Sequence, residues 1–145
     1  MRFVIQRVSE AKVDIEGKTT GSIKKGLLVL VGIAEGDTED TCKKYVDKLA
    51  AMRIFEDSEG KTNLNLDQIG GELLVVSQFT LLASCKKGNR PGFSEAANPK
   101  KAEELYLYIV DLLKGKGIKV ETGIFGAEMK VTLVNEGPFT IVLDL

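Results

Sequence analysis

The chain holds 145 residues, with 20 Lys+Arg against 21 Asp+Glu, a formal net charge of -1, and 43% hydrophobic residues. That is enough apolar chain for one packed domain over residues 1–145, and too even a charge for a protein that coats nucleic acid with its whole surface. Histidine is absent, which excludes a His-based triad, a His proton shuttle and His-ligated zinc.

Arg2 to Ser9 alternates weakly, with Phe3, Ile5 and Val8 as inward candidates, and reads as a strand. Ala11 to Glu16 is a second extended piece, followed by the hairpin-turn pair Gly17-Lys18. Gly26 to Ile33 carries Leu27-Leu28-Val29-Leu30-Val31, too short for a normal helix and suited to a central strand covered on both faces. With Asp37 or Thr38 as cap, Cys42, Tyr45, Val46, Leu49 and Met52 recur at helical spacing and predict a helix from about Glu39 to Arg53. Ile54-Phe55 opens an extended piece, Asp57 to Gly60 is turn-rich, and Asn63 to Gln68 is a short strand or loop.

After Gly70-Gly71, the run Glu72 to Leu82 is a second core strand that ends among the polar groups Ser77, Gln78 and Thr80. Cys85 to Asn98 has no period and reads as a long loop. Asn98-Pro99 starts a helix with the buried stripe Ala102, Leu105, Ile109 and Leu112, ending near Gly115 to Gly117. Ile118 to Thr122 is a strand and Gly123 to Ala127 a tight passage. Glu128 to Asn135 and Phe139 to Leu145 are two further strands joined at Glu136-Gly137-Pro138. No Gly-rich phosphate loop accompanies these elements, so a small layered α/β domain with an antiparallel component is expected. Cys42 and Cys85 form no CxxC pair, which points to a reducing, cytosolic setting. No signal peptide, membrane span or metal site is expected.

Three segments could carry chemistry. Ser77-Gln78-Phe79-Thr80 puts polar groups at a strand end, where backbone N–H groups either meet a ligand oxygen or simply reach solvent. Asn135-Glu136-Gly137-Pro138-Phe139-Thr140 is either a hairpin turn containing proline or a rigid pair of carbonyl acceptors. The loop and helix start carry Lys86, Lys87, Arg90, Lys100 and Lys101 against Glu95, either a phosphate-binding patch or a solvated surface, with Phe93 able to stack on a base. Cys85 lies beside two lysines but has no histidine base, which argues against a catalytic role.

The two motifs Ser77-Gln78-Phe79-Thr80 and Asn135-Glu136-Gly137-Pro138-Phe139-Thr140, with the opening Met1-Arg2-Phe3-Val4-Ile5-Gln6-Arg7-Val8, Asn89 to Phe93 and Thr122 to Met129, make the whole chain resemble the D-aminoacyl-tRNA deacylase (D-Tyr-tRNA deacylase) family. The resemblance implies a three-layer α/β fold, two β-sheets with helices on one side. It implies a cytoplasmic homodimer that hydrolyses the ester of D-aminoacyl-tRNA or glycyl-tRNA, without a cofactor and without DNA as a partner. Ser77, Gln78, Phe79 and Thr80 would then be the catalytic segment. A cis Gly137-Pro138 pair would enter the partner's pocket, braced by Arg7, and exclude L side chains. Phe125, Gly126 and Met129 would shape the adenosine pocket, Phe93 would flank its opening, and Lys86, Lys87 and Arg90 would meet tRNA phosphates. Glu136 departs from family members with a smaller polar residue beside the glycine. With no histidine, either the terminal ribose 2′-hydroxyl assists the attacking water or Thr80 acts as the nucleophile.

Overall fold

The computed structural model describes residues 1–145. The strands are β1 (Arg2–Ile15), β2 (Lys18–Ile23), β3 (Gly26–Gly32), β4 (Phe55–Glu56), β5 (Thr62–Leu64), β6 (Glu72–Ser77), β7 (Val120–Thr122) and β8 (Lys130–Leu143). The helices are α1 (Glu39–Ala51) and α2 (Pro99–Gly115). Six strands form one sheet, and β4 pairs with β5 in a small second one. This is the layered α/β architecture with two sheets that the chain's motifs imply.

The sheet is mixed because its connections differ. β1 pairs antiparallel with β3 through Arg2–Val8 and with β2 through Ala11–Ile15. The crossover through α1 returns the chain as β6, parallel to β3, and the crossover through α2 returns it as β7, parallel to β6. The sheet curls until β2 approaches β7. A β-carbon at Gly21 would lie 2.5 Å from the Thr122 carbonyl oxygen, so only glycine permits this approach.

Each face of the sheet has its own core. Leu27, Val29, Val31, Leu73 and Val75 pack against Tyr45 and Leu49 of α1 and Ile109 and Leu113 of α2. Val8, Ala11, Val13, Ile23, Leu28, Leu74 and Val76 fill the inside of the curl, with no helical residue among them. Both helices therefore cover one side. Burial of most of β3 and of Leu73–Val76 in β6 explains their unbroken apolar runs. Burial also pushes the Cys42 thiol up to about 11, so it is a neutral core group at physiological pH.

The observed elements differ from the sequence expectations at several places. The two extended pieces at the start are one strand, Arg2–Ile15, whose pairing with β8 slips at Arg7 and again at Ser9; these irregularities break the alternation. β2 escaped notice because its face is polar, with only Gly21 and Ile23 buried. The strand from Glu72 stops at Ser77, and Phe79–Leu82 is a 3-10 turn. In α2 the stripe runs through Tyr106, Val110 and Leu113, while Leu112 is half-buried. Helix α1 is capped by Thr38 and ends at Ala51. Finally, residues 130–143 are one strand along β1, so Glu136-Gly137-Pro138 is no hairpin turn. No helix is long and apolar enough to cross a membrane.

Candidate functional site

The parallel strands β3 and β6 stop together, with Val31 opposite Ser77. Gln78 N–H donates to the Val31 carbonyl at 2.7 Å, and the chain then turns away at Phe79. A cavity of about 590 Å³ opens at this end. Its lining comes from the strand ends (Val31, Ile33, Val76 and Val131), from Ser77, Gln78 and Phe79, from Phe93, Ala96 and Ala97, from Pro99 and Ala102 of α2, and from Phe125, Gly126, Ala127 and Met129. That volume lies within the usual range for small-molecule pockets.

The walls are fixed by backbone pairing. Ser84 and Gly92 exchange hydrogen bonds of 2.8 and 2.9 Å, and Ala97 N–H donates to Ile33 at 3.0 Å, so the long loop is tied at both ends. Asn98 accepts from Lys101 N–H and starts α2 with Pro99 in its first turn, as the sequence predicts. Phe93 then stands 5.0 Å from Phe79, ring centre to ring centre, and both rings keep exposed faces at the mouth. Tyr106 packs 5.9 Å from Phe125 and donates to the Val75 carbonyl at 2.8 Å. Burial pushes this phenol up to about 12, so it supports the wall as a neutral donor.

The rim at Ser77 to Thr80 offers donors and lacks a strong base. The first bond of the 3-10 turn runs from Leu81 N–H to the Gln78 carbonyl at 3.2 Å. The N–H groups of Phe79 and Thr80 precede that bond, as the first donors of any helical turn do. Thr80 lies just outside the lining, and its hydroxyl accepts from the Gln78 side-chain amide. An amide does not take a proton from a hydroxyl, so this contact orients Thr80 without activating it. The carboxylates and cysteines form no group placed to hold a metal ion.

Gly137 and Pro138 sit elsewhere. Gln6 pairs with Thr140 and Val8 with Asn135, so four residues of β8 leave the ladder opposite the single residue Arg7. The resulting projection holds Gly137 at φ 144, a conformation that favours glycine, and the Gly137–Pro138 bond is cis. Arg7 is only 9% exposed. Its Nε donates to the Glu136 carbonyl at 3.0 Å, its Nη1 to the Ile54 carbonyl at 2.8 Å, and its guanidinium lies 4.5 Å from the centre of the Phe139 ring. Burying this charge costs desolvation that the two carbonyls and the ring offset, and together they fix the guanidinium beneath the projection.

The cavity thus gathers Ser77, Gln78, Phe79, Phe93, Phe125, Gly126 and Met129, and does not include Arg7, Gly137 or Pro138 of the same chain. Lys86, Lys87 and Arg90 are exposed on the tied loop, outside the lining. The small residues Ala96, Ala97 and Ala102 also line the cavity, which the sequence pattern assigns to no site. Their signal was present: alanines on both sides of a helix cap leave room beside it.

The family described as D-Tyr-tRNA(Tyr) deacylase matches residues 4–144. The chain belongs to the D-Tyr-tRNA(Tyr) deacylase family. Among curated relatives, the D-aminoacyl-tRNA deacylase of Lactobacillus acidophilus is 61% identical over 145 residues, covering 100% of both chains. That of Thermotoga petrophila is 58% identical over 144 residues, covering 99% of this chain and 97% of its own. Among solved structures, the c-Myc DNA Unwinding Element Binding Protein superposes with a TM-score of 0.94 at 37% identity, over 100% of this chain and 99% of its own. A probable eukaryotic D-amino acid tRNA deacylase shares the fold with a TM-score of 0.87 at 18% identity, over 99% of this chain and 98% of its own.

Proposed function

We propose that the protein hydrolyses the ester joining a D-amino acid, or glycine, to the 3′ end of tRNA, releasing the amino acid and the tRNA. It acts as a cytoplasmic homodimer of one domain per chain and needs no cofactor. The observation that carries this reading is the separation of parts: a cavity with donors at its rim in one place, and a braced Gly137–Pro138 projection in another. In the dimer, the projection of one subunit enters the cavity of the other. β8 supports such pairing, because β1 is its only partner strand and Val134 and Val142 stand exposed along it.

Phe125, Gly126 and Met129 hold the terminal adenosine, and Phe93 flanks the opening. Lys86, Lys87 and Arg90 meet phosphates of the acceptor end. The carbonyl oxygens of Gly137 and Pro138 accept from the α-ammonium group. An L side chain then runs into the dipeptide, a D side chain points away, and glycine has nothing to exclude.

Hydrolysis passes through a tetrahedral oxyanion, whose charge is best met by donors already in place. The N–H groups of Phe79 and Thr80 take that oxygen, while Ser77 and Gln78 orient the acyl group. Since the rim lacks a strong base, the ribose 2′-hydroxyl orients the attacking water and relays its proton to the 3′-oxygen as the acyl C–O bond breaks, leaving the free amino acid and the tRNA 3′-hydroxyl. The contact between Thr80 and an amide favours this route over a threonine nucleophile.

Single-turnover hydrolysis of D-aminoacyl-tRNA tests the reading. Wild type is expected to cleave the ester, and Thr80→Val to keep most of the rate at saturating substrate. A substrate lacking only the 2′-hydroxyl is expected to bind and turn over about 100-fold more slowly or worse. Bound but intact ester with wild type would reassign the protein to RNA binding without chemistry. Rapid turnover of the deoxy substrate would remove the ribose step.

A further inference from the structure

Where β8 leaves the ladder, its backbone must find other partners, because an unpaired donor in a packed region is costly. Phe139 N–H is the donor displaced at the end of the excursion. Asn135, the last residue before the excursion to pair with β1, supplies the substitute: its Oδ1 accepts from Phe139 N–H at 2.7 Å. The same amide reaches one residue further, with Nδ2 donating to the Thr140 hydroxyl at 2.9 Å. Thr140 is the first residue to rejoin β1, opposite Gln6, and Gln6 Nε2 donates to its hydroxyl at 3.3 Å. One planar side chain therefore closes the neck of the projection, from the residue where it departs to the residues where it returns.

We infer that Asn135 is a positioning residue for stereochemical selection: it clips shut the base of the Gly137–Pro138 projection and sets how far and at what angle that projection stands out. The inference rests on the proposed role of that dipeptide and adds a second support to it. Arg7 holds the projection from beneath, at the Glu136 carbonyl. Asn135 holds it across the neck, at Phe139 and Thr140. The two supports share no hydrogen bond: Arg7 bonds to the outgoing limb at Glu136 and only stacks on the Phe139 ring, whereas Asn135 bonds to the returning limb. Without the neck contact, the segment from Pro138 to Phe139 swings on its Arg7 anchor and the wedge loses its height.

The residue type follows from the two bonds. Closing both takes two polar atoms on one short rigid group, and in Asn135 the amide oxygen accepts while the amide nitrogen donates. Aspartate keeps the acceptor for Phe139 N–H, and the Thr140 hydroxyl can turn to donate to its second oxygen. Alanine keeps neither. Leucine keeps the bulk without the bonds.

The test compares Asn135→Ala, Asn135→Leu, Asn135→Asp and Thr140→Val with Arg7→Ala. Each is assayed for kcat/KM on D- and L-aminoacyl-tRNA carrying the same amino acid, and for exchange of the Phe139 amide hydrogen. The expected result is a D-over-L preference about tenfold weaker in Asn135→Ala and Asn135→Leu, with faster Phe139 exchange. Asn135→Asp regains most of the preference, and Thr140→Val shows a smaller loss in the same direction. Equal loss of both rates, with the preference unchanged, would mean a merely structural role and overturn the inference. An unchanged preference in the Asn135 variants alongside a weakened one in Arg7→Ala would also overturn it, yet leave the dipeptide's role standing. An unchanged preference in all of them would overturn both. If Asn135→Ala and Asn135→Leu fail to fold, Asn135→Asp and Thr140→Val carry the comparison.

Discussion

The cavity and the projection are built by opposite means. The cavity arises because two parallel strands end at the same level and the surrounding elements present small residues, Ala96, Ala97 and Ala102. It is a consequence of topology, and many residues share in it. The projection arises because pairing slips opposite one residue, Arg7, and a handful of polar contacts hold the displaced loop. Under the proposed function, this difference places the fragility: single changes in the concave part are expected to loosen binding, whereas the convex part depends on a few bonds and is expected to lose discrimination when one goes.

The largest effect is expected from Arg7→Ala. Removing the guanidinium frees the Glu136 and Ile54 carbonyls together, and the D-over-L preference in kcat/KM is expected to fall about 100-fold. Arg7→Lys should not restore it, because an ammonium lacks the planar fork that spans both acceptors. Phe125→Ala acts on the cavity alone. It is expected to raise KM about tenfold through lost stacking on the substrate while leaving the D-over-L ratio unchanged, as steady-state assays on both substrates would show.

The basic loop should matter less. With Lys86, Lys87 and Arg90 all changed to alanine, the fall of kcat/KM with salt is expected to flatten by about two in log–log slope. Smallest is a stability effect remote from both regions. Glu72 accepts from Lys24 N–H and pairs with Lys119, which together hold its carboxyl below the ordinary glutamate value of 4.5. That pairing stabilises the fold fully above the ordinary value, and the contribution is lost as pH falls through the lowered one. Glu72→Gln should therefore lower the Tm slightly at pH 7 and flatten its decline in acid, as thermal scans against pH would show.

Much of this was legible in the residues, for identifiable reasons. Leu27 to Val31 and Leu73 to Val76 announce strands buried on both faces, and Asn98-Pro99 announces a helix start, because each signal is local. The mouth of the cavity was legible at Ser77 to Thr80, where apolar chain meets polar groups. What escaped depends on partners distant in sequence. β2 is polar and becomes a strand only through its pairing with β1. Residues 130–143 read as two strands because proline and glycine ordinarily end a run, and nothing local shows that β1 continues beneath them. The neck contact of Asn135 escaped for the same reason, since it exists only where the register slips.

The measurement that bears most directly on the central claim mixes two defective chains. One carries Arg7→Ala, with a sound cavity and a loosened projection; the other carries Gln78→Ala and Phe125→Ala, with a sound projection and a damaged cavity. Refolded together, they should recover D-selective deacylation to roughly a quarter of the wild-type rate, because half the random dimers then hold one complete site of two. A mixture no better than the sum of its separate parents would contradict the account.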